Sequence, residues 1–408
     1  MTKSPYIILI LLFGGAIFLL TAYKGNQMPM LVVKDMERRD TTIYKNSNFT
    51  YAISDTVDLN GCNLVLPDSI TLKFVGGIVM NGSITGSNTR LIGNKNLFDN
   101  IDIKGSWLVP DISTEMFVDL TKPNSIKNVF ALSDARIENR IKICSGEYWV
   151  VADKRHEDIL QIPSNTDVII NGVIKLHPND LTSYSIISLQ KAENVSIHGK
   201  GVVVGDKNSH LGKDGEWGMC ILLKEVDNIS IKDIRIRDAW GDCIYVGYGS
   251  KSVTIKNCIL DNGRRQGISV IAGTKVNVED CIISNVYGTL PEAAIDVEPN
   301  AGDTVSYVKI QNVDVRDCQY GFHIYSGIGN SSHIGRVDYS SCRISTRGGD
   351  PMVFYNVDTV NVSRCSFIKG GNTAINSHNV RFLNLSKNEI KCGITYHKIQ
   401  GNTKLKDN

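Results

Sequence analysis

The sequence lacks a strong excess of charge of either sign. Its 44 lysine and arginine residues nearly balance 42 aspartate and glutamate residues, which leaves a formal net charge of +2 at pH 7. A domain that binds nucleic acid through a basic patch carries a larger and more clustered positive charge. The composition therefore argues against a nucleic-acid partner.

The repeated part of the sequence also lacks a 3.6-residue period, which excludes helical repeats. What recurs is an apolar–any–apolar triplet whose first members lie 23 to 27 residues apart. The triplets are Ile221-Leu222-Leu223, Ile244-Tyr245-Val246, Ile268-Ser269-Val270, Ile295-Asp296-Val297 and Phe322-His323-Ile324. A second series in phase with them has apolar pairs at Ile229 and Ile231, Val253 and Ile255, Val276 and Val278, Val308 and Ile310, Val337 and Tyr339, Val360 and Val362, and Leu383 and Leu385.

Short strands of this kind, separated by Asn, Gly and Asp, are typical of a β-solenoid. Stacked coils bring each strand within about 4.8 Å of its equivalent in the next coil. We therefore predict an all-β chain, a single-stranded right-handed parallel β-helix with an N-terminal cap that contains the one plausible helix, at 125–143. The predicted segments are a signal peptide or anchor at 1–25, a linker at 26–56, entry coils and cap at 57–150, regular coils at 151–397 and a polar, frayed tail at 398–408.

An apolar run from Tyr6 to Leu20 follows Lys3 near the start of the chain. This arrangement is typical of an export signal. An uncleaved membrane anchor is the alternative, because the small-residue cleavage pattern is poor. We expect an exported protein that is secreted, periplasmic or held at the cell surface, with no other contact to a membrane.

The sequence has 10 cysteines but lacks a C-x-x-C pair, which argues against a metal site built from them. Four of them, Cys258, Cys281, Cys342 and Cys365, occupy the same inward position of successive repeats. Export favours disulfides, whereas parallel stacked side chains have the wrong geometry for bridging. We predict free thiols that pack as small apolar residues.

The middle residue of each triplet is predicted to point to solvent, because both of its neighbours point into the core. Asp296 and Glu298 then share one face with His323 and Tyr325 of the next coil. Such a cluster can transfer protons or hold a cation, and oxygen ligands on Asp296 and Glu298 favour calcium. A simple surface hydrogen bond between Asp296 and His323 is the alternative.

Trp217, Trp240 and Arg264 each lie four residues before a triplet, on the turn that lines this face. Exposed indole rings suit a flat amphipathic ligand such as a sugar. Trp217, Trp240 and Tyr245 are therefore the predicted sugar platform. Packing of both indoles under an insertion at 205–217 is the alternative.

Arg264 and Arg265 are adjacent, and paired guanidinium groups suit the bidentate capture of carboxylate or sulfate. This pair favours an acidic polysaccharide, although either arginine could instead neutralise Asp242 or Asp296. The predicted substrate-binding residues are Trp217, Trp240, Tyr245, Arg264, Gln266, Ser269 and Tyr325, and the predicted catalytic residues are Asp242, Asp296, Glu298, His323 and Arg265.

The blocks Gly241-Asp242-Cys243-Ile244-Tyr245-Val246 and Gln266-Gly267-Ile268-Ser269-Val270 resemble the pectin-lyase-like superfamily. Within it they are similar to polygalacturonases, whose core reads Asp-Asp-Cys-Ile-x-Ile and later Gly-His-Gly-Ile-Ser-Ile. The resemblance implies the β-helix fold and a polysaccharide substrate. It departs from the catalytic pattern, since the first Asp falls on Gly241, the His on Gln266, and only Asp242 is kept.

These observations predict an exported enzyme that binds and cleaves an acidic polysaccharide, as a lyase or a glycoside hydrolase. A lyase would use Arg265, His323 or Tyr325 as its base. An inverting hydrolase could pair Asp242 with Asp296, about 9.6 Å away over two strand spacings and near the upper end of the ~6.5–9.5 Å expected. A non-catalytic glycan-binding, adhesin-like or tailspike-like solenoid is the alternative of another class.

Overall fold

A computed structural model describes residues 50–154, 158–327, 329, 331–391 and 395–407, together with the backbone of three strands before residue 50. The described chain divides into two compact units, residues 1–144 with 165–169, and residues 145–164 with 170–408. Nearly all regular structure is β-strand. The helical segments are a 3-10 turn at Thr114–Met116 and α1 at Lys127–Phe130.

Strands β1 to β20 are Ile7–Phe13, Ala16–Ala22, Met30–Val32, Thr50–Ile53, Thr56–Asp58, Asn63–Val65, Thr71–Phe74, Ile78–Ile92, Phe98–Leu108, Asp111–Ser113, Asn139–Ile143, Glu147–Val150, Asp158–Gln161, Thr166–Ile170, Val173–Leu176, Ser183–Gln190, Glu193–His198, Val202–Val204, Trp217–Lys224 and Asp227–Lys232. Strands β21 to β39 are Arg235–Arg237, Asp242–Gly247, Ser250–Lys256, Ile259–Asp261, Gln266–Val270, Gly273–Glu279, Ile282–Ser284, Ala293–Val297, Thr304–Gln311, Asp314–Cys318, Tyr320–Tyr325, His333–Ser340, Arg343–Thr346, Met352–Ser363, Ser366–Lys369, Thr373–Ser386, Glu389–Ile390, Thr395–Gln400 and Leu405–Asp407.

The first unit contains a seven-stranded parallel sheet in the order β3-β4-β7-β8-β5, with β6 and β9 also pairing with β8. The helix predicted at 125–143 is wrong. Only α1 is helical, and β11 at the end of that stretch is an extended strand that pairs with β10. Its alternating Asn-Arg-Ile-Lys-Ile sequence buries every second side chain, which is the period of a strand.

Part of the predicted export segment forms an antiparallel pair, β1 with β2, while residues 1–6, 14–15 and 23–29 lie outside the described residues. Most of the predicted linker, including 33–49, also lies outside them. Among the residues that are described, no helix is long and apolar enough to cross a bilayer.

The second unit is a parallel β-helix in which most coils contribute three strands, while in later coils the first two are continuous, as in β34 and β36. The coil of β22, β23 and β24 is followed by that of β25, β26 and β27, and each strand pairs in parallel with its equivalent one coil later. The predicted register is confirmed for both series. Ile221 pairs with Ile244, Ile244 with Ile268, Ile268 with Ile295 and Ile295 with Phe322, and the second series runs unbroken from Ile229 to Leu383.

In four successive coils, asparagine or aspartate makes the sharp bend between the second and third strands. Asp233, Asn257, Asp280 and Asn312 occupy this bend in successive coils, with φ between 51° and 59°. These two residue types adopt the left-handed region more readily than other side chains. The Asn257 amide donates to Asp233 at 2.6 Å and the Asn312 amide to Asp280 at 2.8 Å, so the bends are also linked between coils.

The interior is filled by the apolar residues of the two series and by cysteines. Cys258, Cys281, Cys342 and Cys365 are buried, and the nine cysteines in the described part of the chain are all free thiols, as predicted. The prediction of a frayed C-terminal tail is wrong for the described residues from 398 onward, because β38 and β39 both pair with β36.

Candidate functional site

The predicted site lies on the first strands of four successive coils, β22, β25, β28 and β31, and beside the insertion that precedes β19. In-register pairing sets Asp242 beside Gln266, and Asp296 beside both Ser269 and His323. Side chains that are up to about eighty residues apart in sequence therefore meet on one face of the second unit.

Asp296 and His323 are paired, but Asp296 does not face solvent. Nδ1 of His323 lies 2.8 Å from Oδ1 of Asp296, and the Gln266 amide donates to Oδ2 at 3.2 Å. Asp296 and Ser269 are both completely buried, so the prediction that the middle residues point to solvent is wrong for these two. The alternation is as predicted, but side chains from adjacent coils cover both positions.

Asp242 forms a second buried carboxyl group. The Ser269 hydroxyl donates to its Oδ2 at 2.7 Å and Nη1 of Arg265 donates to the same oxygen at 3.3 Å. Its Oδ1 is buried without a hydrogen-bond partner among the described residues. Burial raises the pKa of Asp242 to about 7, although Arg265 and Ser269 oppose the shift.

Arg265 lies between three carboxyl groups and holds them together. Besides Asp242, its Nε lies 3.3 Å from Glu216 and its Nη2 lies 4.0 Å from Glu298. Burial alone would lower the pKa of Arg265, but the surrounding carboxylates raise it overall. Arg265 therefore neutralises protein carboxylates, which was the alternative considered for it.

The exposed part of the site is a groove of about 350 Å³. It is lined by Glu216, Trp217, Tyr245, Arg265, Ile271, Glu298, Pro299, Asn300, Ala301, Tyr325 and Gly327. Glu216 was missed by the sequence reasoning, since it lies in the insertion where no repeat fixes its position. In the sequence, its neighbour Trp217 was the one residue that pointed to this position.

Glu298 lies on the wall of the groove, and 34% of its side chain is accessible to solvent. Burial and then the charge of Asp296 raise the pKa of Glu298 to about 7, while His323 and Arg265 oppose this. A carboxyl group with that pKa can hold a proton at neutral pH and release it within a normal catalytic range. Glu298 is thus the best-placed proton donor in the groove.

The two indoles predicted as a sugar platform have different environments. Trp217 lines the groove and is 51% exposed. Trp240 is buried between the His210 ring, 3.9 Å from its centroid, and the Arg264 guanidinium, 3.7 Å away. Trp240 and Arg264 therefore pack under the insertion and do not line the groove. For Trp240, packing under the insertion was the alternative prediction.

The insertion is fastened by Asp206, a buried carboxyl group that the sequence reasoning also missed. Its oxygens accept hydrogen bonds from the Tyr184 hydroxyl and from the Asn179 side chain at 2.9 Å, and Nδ1 of His210 lies 2.9 Å away. Arg264 donates to the Gly215 carbonyl oxygen at 2.8 Å, next to Glu216. These contacts fix the backbone that presents Glu216 and Trp217.

The remaining predicted residues divide between the groove and the layer beneath it. Tyr245 and Tyr325 line the groove, and burial raises the pKa of Tyr245. Gln266 and Ser269 lie beneath it, fully buried, where Gln266 also accepts from the Ala293 amide at 3.0 Å. Gln266 and Ser269 therefore support the acidic residues and do not line the groove.

The arrangement around Asp296 does not match a calcium site. Both of its oxygens receive nitrogen donors from His323 and Gln266, and Glu298 lies beside the Arg265 guanidinium. Burial would lower the pKa of His323, but Asp296 and Glu298 raise it overall, which favours the cationic ring. No group of three or more His, Cys, Asp or Glu side chains able to hold a metal occurs in the described parts of the chain.

Comparison with known proteins agrees with this architecture. Residues 166–297 match the family described as the right-handed β-helix region. The uncharacterized protein YclG of Bacillus subtilis is 28% identical over 195 residues, which are 43% of this chain and 33% of that protein. The chain thus spans about a third of the length of the curated relative.

Two solved structures share the fold at low sequence identity. The polygalacturonase of Erwinia carotovora subsp. carotovora has a TM-score of 0.51 and 12% identity, over 73% of this chain and 96% of that chain. A tailspike double mutant of E. coli bacteriophage HK620, in complex with a pentasaccharide, has a TM-score of 0.50 and 17% identity, over 72% and 67% of the two chains. This protein has the fold of a right-handed parallel β-helix, as predicted.

Proposed function

We propose that this protein is a polysaccharide-cleaving enzyme that hydrolyses glycosidic bonds in the groove of the second unit. The observation that carries the proposal is the pair of groove carboxyl groups, Glu216 and Glu298, bridged by Arg265 at 3.3 and 4.0 Å. The fold is shared with a polygalacturonase and with a tailspike bound to a pentasaccharide, which supports the substrate class.

The two carboxyl groups have environments suited to different roles. Glu298, with its pKa of about 7, donates a proton to the glycosidic oxygen as the bond to the leaving sugar breaks. Glu216 accepts a proton from the water that attacks the anomeric carbon. Asp296 acts through Glu298 as a positioning residue, because its buried charge favours the protonated form of that acid.

Hydrolysis fits the site better than elimination. A lyase needs a neutral base that can remove a carbon-bound proton, but the pKa of Arg265 and that of His323 are both raised by neighbouring carboxylates. The raised pKa values favour the cationic form of both groups, which cannot accept a proton. Exposed Trp217 and Tyr325 provide flat surfaces for sugar rings in the same groove as the carboxyl groups.

The acidic character of the polysaccharide remains a prediction. Arg264 stacks on Trp240 and Arg265 pairs with protein carboxylates, so the contacts of both guanidinium groups weaken the reason for expecting an acidic ligand. Export also remains a prediction, and calcium remains untested, although the nitrogen donors around Asp296 argue against it. Mass spectrometry of the mature N-terminus tests export, and activity after chelation tests calcium.

The proposal is tested with Glu298→Gln on a panel of acidic and neutral polysaccharides, namely polygalacturonate, alginate, hyaluronan, xylan and β-glucan. The wild type is expected to produce new reducing ends without the ultraviolet absorbance of unsaturated sugars. The variant should lose about 10²–10⁴-fold in kcat, because it cannot donate the proton.

Glu279→Gln is the matched control. Glu279 lies on β26, outside the groove, and its side chain pairs with Lys309 at 3.2 Å. This variant should retain full activity. Equal turnover by Glu298→Gln and the wild type would remove Glu298 from the chemistry. Retained binding without any product would indicate a glycan-binding solenoid.

A further inference from the structure

The groove continues into a file of aromatic side chains on the next coils. His323, Tyr325, Tyr355 and His378 follow one another, with ring centroids 6.3, 6.1 and 5.6 Å apart. In-register pairing fixes this file, because Tyr325 pairs with Tyr355 and Tyr355 with His378. From Tyr325 onward the rings therefore advance by one coil at a time along the second unit.

These rings point away from the core. Phe354 is fully buried beside Tyr355, and Ser377 is fully buried beside His378, so strand alternation directs both aromatic rings outward. Tyr325 is 39% exposed, and Tyr355 and His378 are partly exposed. Tyr325 also lines the groove with Glu298, so the file begins at the proposed acid.

Stacking between like side chains in adjacent coils can stabilise a solenoid without any ligand. The rings of this file do not stack face to face, because the Tyr325 and Tyr355 planes are 56° apart and the Tyr355 and His378 planes are 40° apart. Tilted rings leave part of each face uncovered. Uncovered aromatic faces with polar edges are the surfaces on which sugar rings stack.

We propose that Tyr325, Tyr355 and His378 form an extended binding track for successive sugar units of a long chain that runs along the coils from the groove. This inference rests on the proposed function and specifies its substrate as a polymer. The protein would then act on long chains in preference to short ones.

The test compares the double variant Tyr355→Ala/His378→Ala with the wild type. The substrates are dimers and hexamers of galacturonate, of xylose, of glucose linked as in cellobiose, and of N-acetylglucosamine. Affinity is measured by calorimetry and cleavage by product analysis. The wild type should bind and cleave a hexamer better than the corresponding dimer. In the double variant this hexamer-over-dimer ratio should fall about tenfold, because two stacking contacts are removed. Its affinity for and turnover of the corresponding dimer should not change.

Phe382→Ala is the control, since Phe382 is 41% exposed, lies on the same β36 strand as His378 and contacts Lys404 away from the file. It should keep the hexamer preference. Thermal unfolding shows whether the variants remain folded.

A wild type that acts on dimers and hexamers equally, or a double variant that keeps the preference, would overturn the track and leave the proposed function standing. A wild type that neither binds nor cleaves any of these sugars would count against both.

Discussion

The first and second strands of the coils follow the same alternation but differ in what covers their outward side chains. On β26 and β29 the outward residues Asn277 and Lys309 are partly exposed. On β25 and β28 the outward residues Ser269 and Asp296 are completely buried. The difference arises because His323, Gln266 and Arg265 lie over the first strands, so a second polar layer forms outside the apolar core.

The comparison shows where a solenoid can place reactive groups. The outward residues Asn277 and Lys309 on the second strands remain partly in contact with water. Those on the first strands are desolvated, and desolvation is the leading cause of the raised pKa of both Asp242 and Glu298. The covered face therefore provides carboxyl groups that can donate a proton near neutral pH.

The largest effect on the covered layer is expected from Arg265→Met. At pH 8 this change removes the partner of the buried Asp242, which must then remain charged without it or take up a proton, and either outcome should cost about 3 kcal/mol of unfolding free energy, measured by chemical denaturation. Arg316→Met is the control, because Arg316 pairs with Asp314 at 2.7 Å while 57% exposed and should cost less than about 1 kcal/mol. Equal losses in the two variants would mean that the covered layer behaves like ordinary surface.

An effect of comparable size, with a defined pH dependence, is expected from Asp242→Asn. The folded pKa of about 7 lies above the ordinary value of about 3.9, so between these values only the folded state holds the proton. Wild-type stability should therefore fall as pH rises from about 4 to 7 and level off above, by on the order of 2–4 kcal/mol.

The Asp242→Asn variant should have a flatter profile over the same range, with a remaining slope from Glu298, whose pKa is also raised. Denaturation midpoints at pH 5, 6.5 and 8 provide the comparison. An unchanged slope would show that Asp242 is ionised throughout.

The smallest effect is expected from Thr254→Ala on the open second-strand face. Thr254 is partly exposed between buried Val253 and Ile255, so its removal should change the unfolding free energy by less than about 0.5 kcal/mol and leave cleavage unchanged. A loss comparable with that of Arg265→Met would remove the distinction between the two faces.

The positions of the strands could be predicted because they depend on local geometry. Side chains alternate along a strand, and coils of similar length stack equivalent residues, so spacing alone paired Asp296 with His323. The helix at 125–143 could not be excluded in the same way, since its residues do not repeat. There the pairing of β11 with β10 decided the structure.

The environment of each site residue could not be predicted in this way. Trp217 and Trp240 occupy equivalent positions before their triplets, yet one is exposed and the other is enclosed by His210 and Arg264. Glu216 gained its place opposite Glu298 through Asp206 and Arg264, which fix the insertion. Contacts between distant segments produced both outcomes.

The sequence by itself determined the coil, its register and the face on which acidic and aromatic residues collect, because alternation and repeat length are properties of the local chain. Only the tertiary structure decided which of those residues face water. Burial, and with it the pKa of each carboxyl group, depends on long side chains from other coils and on an insertion that follows no repeat.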